Sequence, residues 1–72
     1  MKTSLIMCRT PESRNRLMDR FIKVLKNRNI NFRINKEKHK INCGEEEIIF
    51  ILSEQELVGR RNEEVFYEEQ FD

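Results

Sequence analysis

The chain has 72 residues, 38% of them charged, with a formal net charge of +1. A single domain of this length buries only about 60% of its unfolded surface, so its stability margin is narrow. Its longest apolar run, Ile48-Ile49-Phe50-Ile51-Leu52, is far short of the roughly 20 residues that span a bilayer, and no signal-peptide h-region follows Lys2. No membrane partner is expected, and the expected location is the cytoplasm.

The near-neutral total conceals a split. Residues 1–40 carry twelve Lys/Arg against three acids, a balance of +9, and residues 41–72 carry two against ten, a balance of −8. Such a separation points either to surfaces that recognise charged partners or to halves that neutralise each other in the fold. The apolar residues cluster into short runs, which a disordered chain of this charge content lacks. A folded single domain, residues 1–72, is expected.

Residues 3–8 read as a short buried strand. Thr10 is then a helix N-cap, Pro11 fits the first helical position, and Glu12 faces the positive end of the helix dipole. Leu17, Met18, Phe21, Ile22, Val24 and Leu25 form one apolar stripe of helical period, which predicts a helix over 11–28 ending at Asn29. Its opposite face carries Arg16, Arg20, Lys23 and Asn27.

After the helix the period changes to two. Ile30, Phe32 and Ile34 alternate with polar residues, which predicts a half-buried strand. Lys36-Glu37-Lys38-His39 is a polar turn, and Ile41 and Cys43 continue the alternation in a partner strand. The apolar run 47–52 reads as a central strand covered on both faces. Ser53 and Glu56 fit a capping box for a short helix ended by Gly59. Residues 64–67 read as a last strand, followed by an acidic tail. The order β-α-β-β-β-(short α)-β predicts an α/β fold, a small sheet of four to five strands with one long helix packed on one face. The other face then has little cover, and Phe50, Phe66 and Phe71 are expected to form an apolar patch that invites self-association or a partner.

The order of motifs resembles the central segment of a phage terminase large subunit and, more loosely, a helicase-type RecA-like ATPase core. The likeness is carried by Ile6-Met7-Cys8-Arg9-Thr10-Pro11 leading into a helix and by Ile41-Asn42-Cys43-Gly44 leading into Ile48-Ile49-Phe50. Leu57-Val58-Gly59-Arg60 before Val65-Phe66-Tyr67-Glu68-Glu69 completes it. By position, Glu68 replaces that family's metal-binding Asp and Glu69 matches its catalytic Glu. The family's GxxxxGK[ST] phosphate loop has no counterpart, since the only glycines are Gly44 and Gly59. The resemblance therefore implies a RecA-like half-domain without ATPase activity, and the small size and Lys/Asn/Ile-rich composition suit a phage-encoded accessory or host-factor-binding protein.

Candidate chemistry is sparse. Cys8, Cys43 and the single His39 cannot furnish a four-ligand zinc site, and reduced thiols are the expected cysteine state. No catalytic residue, metal or cofactor is predicted. His39 reads as an exposed turn residue. Glu68 and Glu69, as neighbours on a strand end, are expected to point to opposite faces and into water.

Two charged sets remain. Arg16, Arg20 and Lys23 on the helix, with Arg33, Lys36, Lys38 and Lys40 on the hairpin, make a cationic strip if helix and hairpin share an edge, and such a strip follows a phosphate backbone. Glu63, Glu64, Glu68, Glu69 and Asp72 form an acidic pole that imitates nucleic-acid phosphates toward a protein partner. The function expected is a small non-catalytic interaction protein that binds a protein, with nucleic-acid binding through the basic set as the alternative.

Overall fold

The computed structural model describes residues 2–52 and 64–71. The elements follow as β1 (Lys2–Met7), α1 (Pro11–Asn27), β2 (Arg33–Asn35), β3 (Lys40–Cys43), β4 (Glu46–Ile51), β5 (Glu64–Tyr67) and a 3₁₀ turn, Glu68–Phe71. The strands form one mixed sheet in the order β2-β3-β4-β1-β5. β1 runs parallel to both β4 and β5, while β2, β3 and β4 pair antiparallel. This is the α/β architecture expected, and the apolar strand β4 is its middle strand. The predicted capping box at Ser53, the stop at Gly59, the Leu57-Val58-Gly59-Arg60 turn, Glu63 and Asp72 lie outside the described residues.

The first helix turn is held by reciprocal bonds. The Ser13 N–H donates to Thr10 Oγ1 at 3.1 Å and the Thr10 N–H donates to Ser13 Oγ at 3.1 Å, a capping box closed by serine in place of the usual Glu. At the other end, Asn29 adopts φ 56°. Its N–H donates to the Lys26 carbonyl and that of Ile30 donates to the Leu25 carbonyl. These two bonds are a Schellman closure, with asparagine in the left-handed position that glycine usually takes.

That closure corrects the expected second strand. Ile30 belongs to the helix cap, so alternation begins too late for a strand from residue 30. β2 retains three exposed residues, and Ile30 and Ile34 are 41% and 38% exposed.

The helix face of the sheet holds the main core. Ile6, Cys8, Leu17, Met18, Ile41 and Phe50 are buried together, flanked by Phe21, Ile22, Leu25, Phe66 and Phe71. Phe21 meets the Phe50 ring edge-on at 5.4 Å and the Phe71 ring at 5.3 Å, and Phe66 stands 6.2 Å from Phe71. The expected patch of Phe50, Phe66 and Phe71 is therefore an internal aromatic cluster beneath α1, and Phe50 is 2% exposed. The hydrophobic gain of that packing, about 1.5–3 kcal/mol per buried large side chain, explains the inversion. Strand alternation directs Leu5, Met7, Ile49, Ile51 and Val65 to the opposite face, where Leu5 and Ile51 are also buried.

Candidate functional site

The parallel register brings the carboxyl ends of β1 and β5 side by side, with Met7 opposite Tyr67. The N-terminus of α1 starts just beyond β1. In open α/β sheets this is the edge along which ligands gather. Here it borders a cleft of about 440 Å³ lined by Arg9, Thr10, Ser13, Arg16, Arg20 and Glu68.

Glu68 occupies the helix end itself. β5 stops because the Tyr67 N–H turns to Gln70 Oε1 at 2.7 Å, and the 3₁₀ turn then carries Glu68 inward to 8% exposure. Its Oε1 accepts the Arg9 backbone N–H at 2.8 Å and lies 3.3 Å from the Ser13 hydroxyl, whose single proton is shared between it and the Thr10 carbonyl at 3.0 Å. Arg9 Nε stands 3.6 Å away. A carboxylate is favoured at a helix N-terminus because unpaired N–H groups and the dipole present positive charge there.

Glu69 lies on the same side and takes the rest of the Arg9 guanidinium. Arg9 Nε donates to Glu69 Oε1 at 2.8 Å, and Arg9 Nη2 donates to the same oxygen. The Glu69 backbone N–H and the Arg9 guanidinium together hold its carboxyl below the usual glutamate range. Glu68 and Glu69 thus converge on one arginine, contrary to the expectation of opposite faces; Glu69 is exposed as expected, but Glu68 is buried. The strand ends at Tyr67, so the period-two alternation no longer governs them.

Arg14 and Cys8 complete the interior of this corner. Arg14 falls on the buried stripe of α1, and among the described residues its Nε is buried with no hydrogen-bond partner. Burial pushes the Cys8 thiol up to about 11; the Glu68 charge adds to that and Arg14 opposes it. Cys8 and Cys43 are free thiols, the first buried and the second half-buried. Among the described residues no cluster of His, Cys, Asp and Glu has the makings of a metal site, and no helix is long and apolar enough to cross a membrane.

Compared with protein-family models, curated proteins and solved structures, the chain matches none. What it does therefore rests on its own residues.

The basic set is divided. Arg16, Arg20 and Lys23 are exposed on α1. Lys36 borders a second cleft with Asn15, Asp19, Ile22 and His39, on the flank of α1 facing the hairpin, and Lys38 is exposed in the turn. Arg33 opposes Asn42, Asn42 opposes Glu47, and Lys40 opposes Ile49, so Arg33 and Lys40 belong to the sheet face away from the helix. Lys40 is tied there to Glu47 at 3.7 Å. The seven cations therefore do not form one strip, because alternation sends every second hairpin residue through the sheet. His39 is half-buried with φ 52°, and its carbonyl accepts the Phe50 N–H at 2.8 Å, which corrects its reading as an exposed turn residue.

On the acidic side, Glu64 pairs with Lys2 at 3.6 Å and Glu68 and Glu69 pair with Arg9. Arg9, Ser13 and Arg14 were not singled out from the sequence. Arg14 was legible there, as a charge three and four residues ahead of Leu17 and Met18 on the apolar stripe. Arg9 was not, because its partners arrive only through the β1–β5 pairing.

Proposed function

We infer that this chain is a non-catalytic binding protein, and that the outward cations of α1 contact a polyanion, of which a nucleic-acid backbone fits best. One observation carries the reading. Arg16, Arg20 and Lys23 stand exposed at i, i+4 and i+7 with no ion pair among the described residues, while Glu47, Glu64, Glu68 and Glu69 are already held by Lys40, Lys2 and Arg9. The positive pole is open to a partner and much of the negative pole is not. Glu68 at the helix end supports the non-catalytic part: a carboxylate of the chain itself fills the position where a phosphate would otherwise bind.

The second reading is a protein partner held by the acidic pole of Glu63, Glu64, Glu69 and Asp72. The exposure of Glu64 favours it, but the Lys2 contact weakens it and the burial of Glu68 removes that residue from the set.

Retention of the intact chain on single- and double-stranded nucleic acid, followed across salt, separates the two. Three phosphate contacts on a duplex give a slope of log K against log salt of about −3. Arg16→Glu with Lys23→Glu abolishes retention in the first reading, whereas the second predicts no retention of either chain. No retention even at low salt overturns nucleic-acid binding and leaves the protein-partner reading standing.

A further inference from the structure

A second groove runs along the other side of the Arg20 ridge. It encloses about 430 Å³ and is walled by Leu17, Phe21, Val24 and Leu25 of α1, by Ile48 of β4 and by Phe71. Ile30, in the helix closure, stands at its border. Val24 and Ile30 are 49% and 41% exposed, so apolar side chains project beside an apolar hollow. Two charges line the same groove: Arg20 from α1 and Glu46 from the start of β4. They do not pair with each other, and neither forms an ion pair among the described residues.

A hollow, adjacent apolar projections, one unpaired cation and one unpaired anion make a self-complementary patch. Under a two-fold axis, a contact between position i and position j occurs twice. We propose that this groove is the contact surface between two copies of the chain, with Arg20 of each copy set against Glu46 of the other and Val24 and Ile30 packed across the axis. Charge complementarity selects a second copy as the occupant, and a net charge of +1 imposes little long-range repulsion between copies. The smallest specific interfaces bury about 600 Å² per partner, which is about a ninth of this molecule's 5536 Å² surface. The dimer is accordingly weak and concentration-dependent. Arg16 and Lys23 stay outside it, so two cationic helix faces are presented per assembly. Arg20 is common to both surfaces, so within the dimer Arg16 and Lys23 of each helix are the cations left to a polyanion.

Sedimentation velocity of the intact chain without nucleic acid, from micromolar to millimolar concentration, tests the contact. The wild-type mass is expected to rise toward twice that of one chain. Arg20→Glu sets acid against acid and Glu46→Arg sets base against base, so each variant alone is monomeric while its circular dichroism stays that of the folded chain. An equimolar mixture of the two restores both opposite-charge contacts and returns the dimer. Val24→Asp is monomeric in every combination. A wild-type chain that is monomeric at all concentrations overturns the proposal, and so does a dimer that survives both single charge reversals. A mixture that fails to reassociate overturns the Arg20–Glu46 contact.

Discussion

The backbone N–H of Arg9 donates to Glu68 Oε1 at 2.8 Å, linking residues 59 positions apart at the shared end of two parallel strands. The bond does two things at once. It satisfies a donor at the entrance to α1, and it fixes the 3₁₀ turn, whose Phe71 ring then packs on Phe21. A charged acceptor buried at a helix entrance contributes more than a neutral surface bond.

Removing that acceptor is therefore costly. Glu68→Ala leaves the Arg9 N–H without its partner and is expected to lower the unfolding free energy by about 2–3 kcal/mol. Glu68→Gln keeps an acceptor oxygen but loses the charge, and should cost roughly half as much. Urea unfolding followed by circular dichroism measures both. A Glu68→Ala variant as stable as the parent would show that the bond contributes nothing.

Glu69 gives the same corner a dependence on pH. Its carboxyl is held below the usual range by its own backbone N–H and by Arg9. A depressed carboxylate contributes stability that is fully present above the unfolded pKa and is lost as pH falls through the folded pKa. Glu69→Gln should therefore lower the thermal midpoint slightly near neutrality, and the gap to the parent should close in acid. Because Glu69 is exposed, salt should narrow the gap at neutral pH as well. A gap that widened in acid would contradict the Arg9 contact.

The contrast between α1 and this corner explains what the sequence could disclose. Thr10, Pro11 and the stripe from Leu17 to Leu25 act within one or two helical turns, and the helix runs over Pro11–Asn27 as those local signals imply. The burial of Glu68 depends on β5 pairing with β1 across the chain, and no local pattern around residue 68 carries that information. The shortening of β2 lies between these cases. Ile30 fits both a strand alternation and a Schellman closure, and the helix takes it because the closure satisfies two carbonyls that a strand would leave open. The cationic strip failed for a related reason: charge spacing was legible, but the sheet face of each hairpin residue follows from the β3–β4 register.

Cys8 provides an alkaline counterpart. Its thiol is raised from 9.0 to about 11 by burial, with Glu68 adding to the effect. The folded state then holds its proton where the unfolded chain has lost it. The associated stability is complete below pH 9 and disappears as pH rises toward 11, by roughly 2–3 kcal/mol in all. Other groups titrate in the same window, so the informative quantity is the difference between the parent and Cys8→Ala. Cys8→Ala should be less stable at pH 7 and show a shallower alkaline decline. At pH 8, Cys43 should react with a thiol reagent well before Cys8, and equal labelling rates would remove the basis for the shift.

The two ends of α1 can be weighed against each other by substitution. Thr10→Ala removes the acceptor of the Ser13 N–H and should cost about 1 kcal/mol, within the 0.5–2 kcal/mol found for lost N-caps. Asn29 holds φ 56°, a conformation that burdens side chains bearing a Cβ. Asn29→Ala should cost up to about 1 kcal/mol, because alanine lacks the local hydrogen bonding that lets asparagine tolerate this region. Asn29→Gly should be neutral or stabilising, since the relief of the Cβ strain outweighs the extra entropy of the unfolded glycine. The closure also places Ile30 at the groove that Val24 lines, so Asn29→Ala should loosen that wall while Thr10→Ala leaves it intact. Hydrogen exchange at the Ile30 amide, which donates to the Leu25 carbonyl, reads this directly. Faster exchange is expected in Asn29→Ala alone; equal acceleration in Thr10→Ala would mean that the helix opens as one unit and that the closure is not a separate structural element.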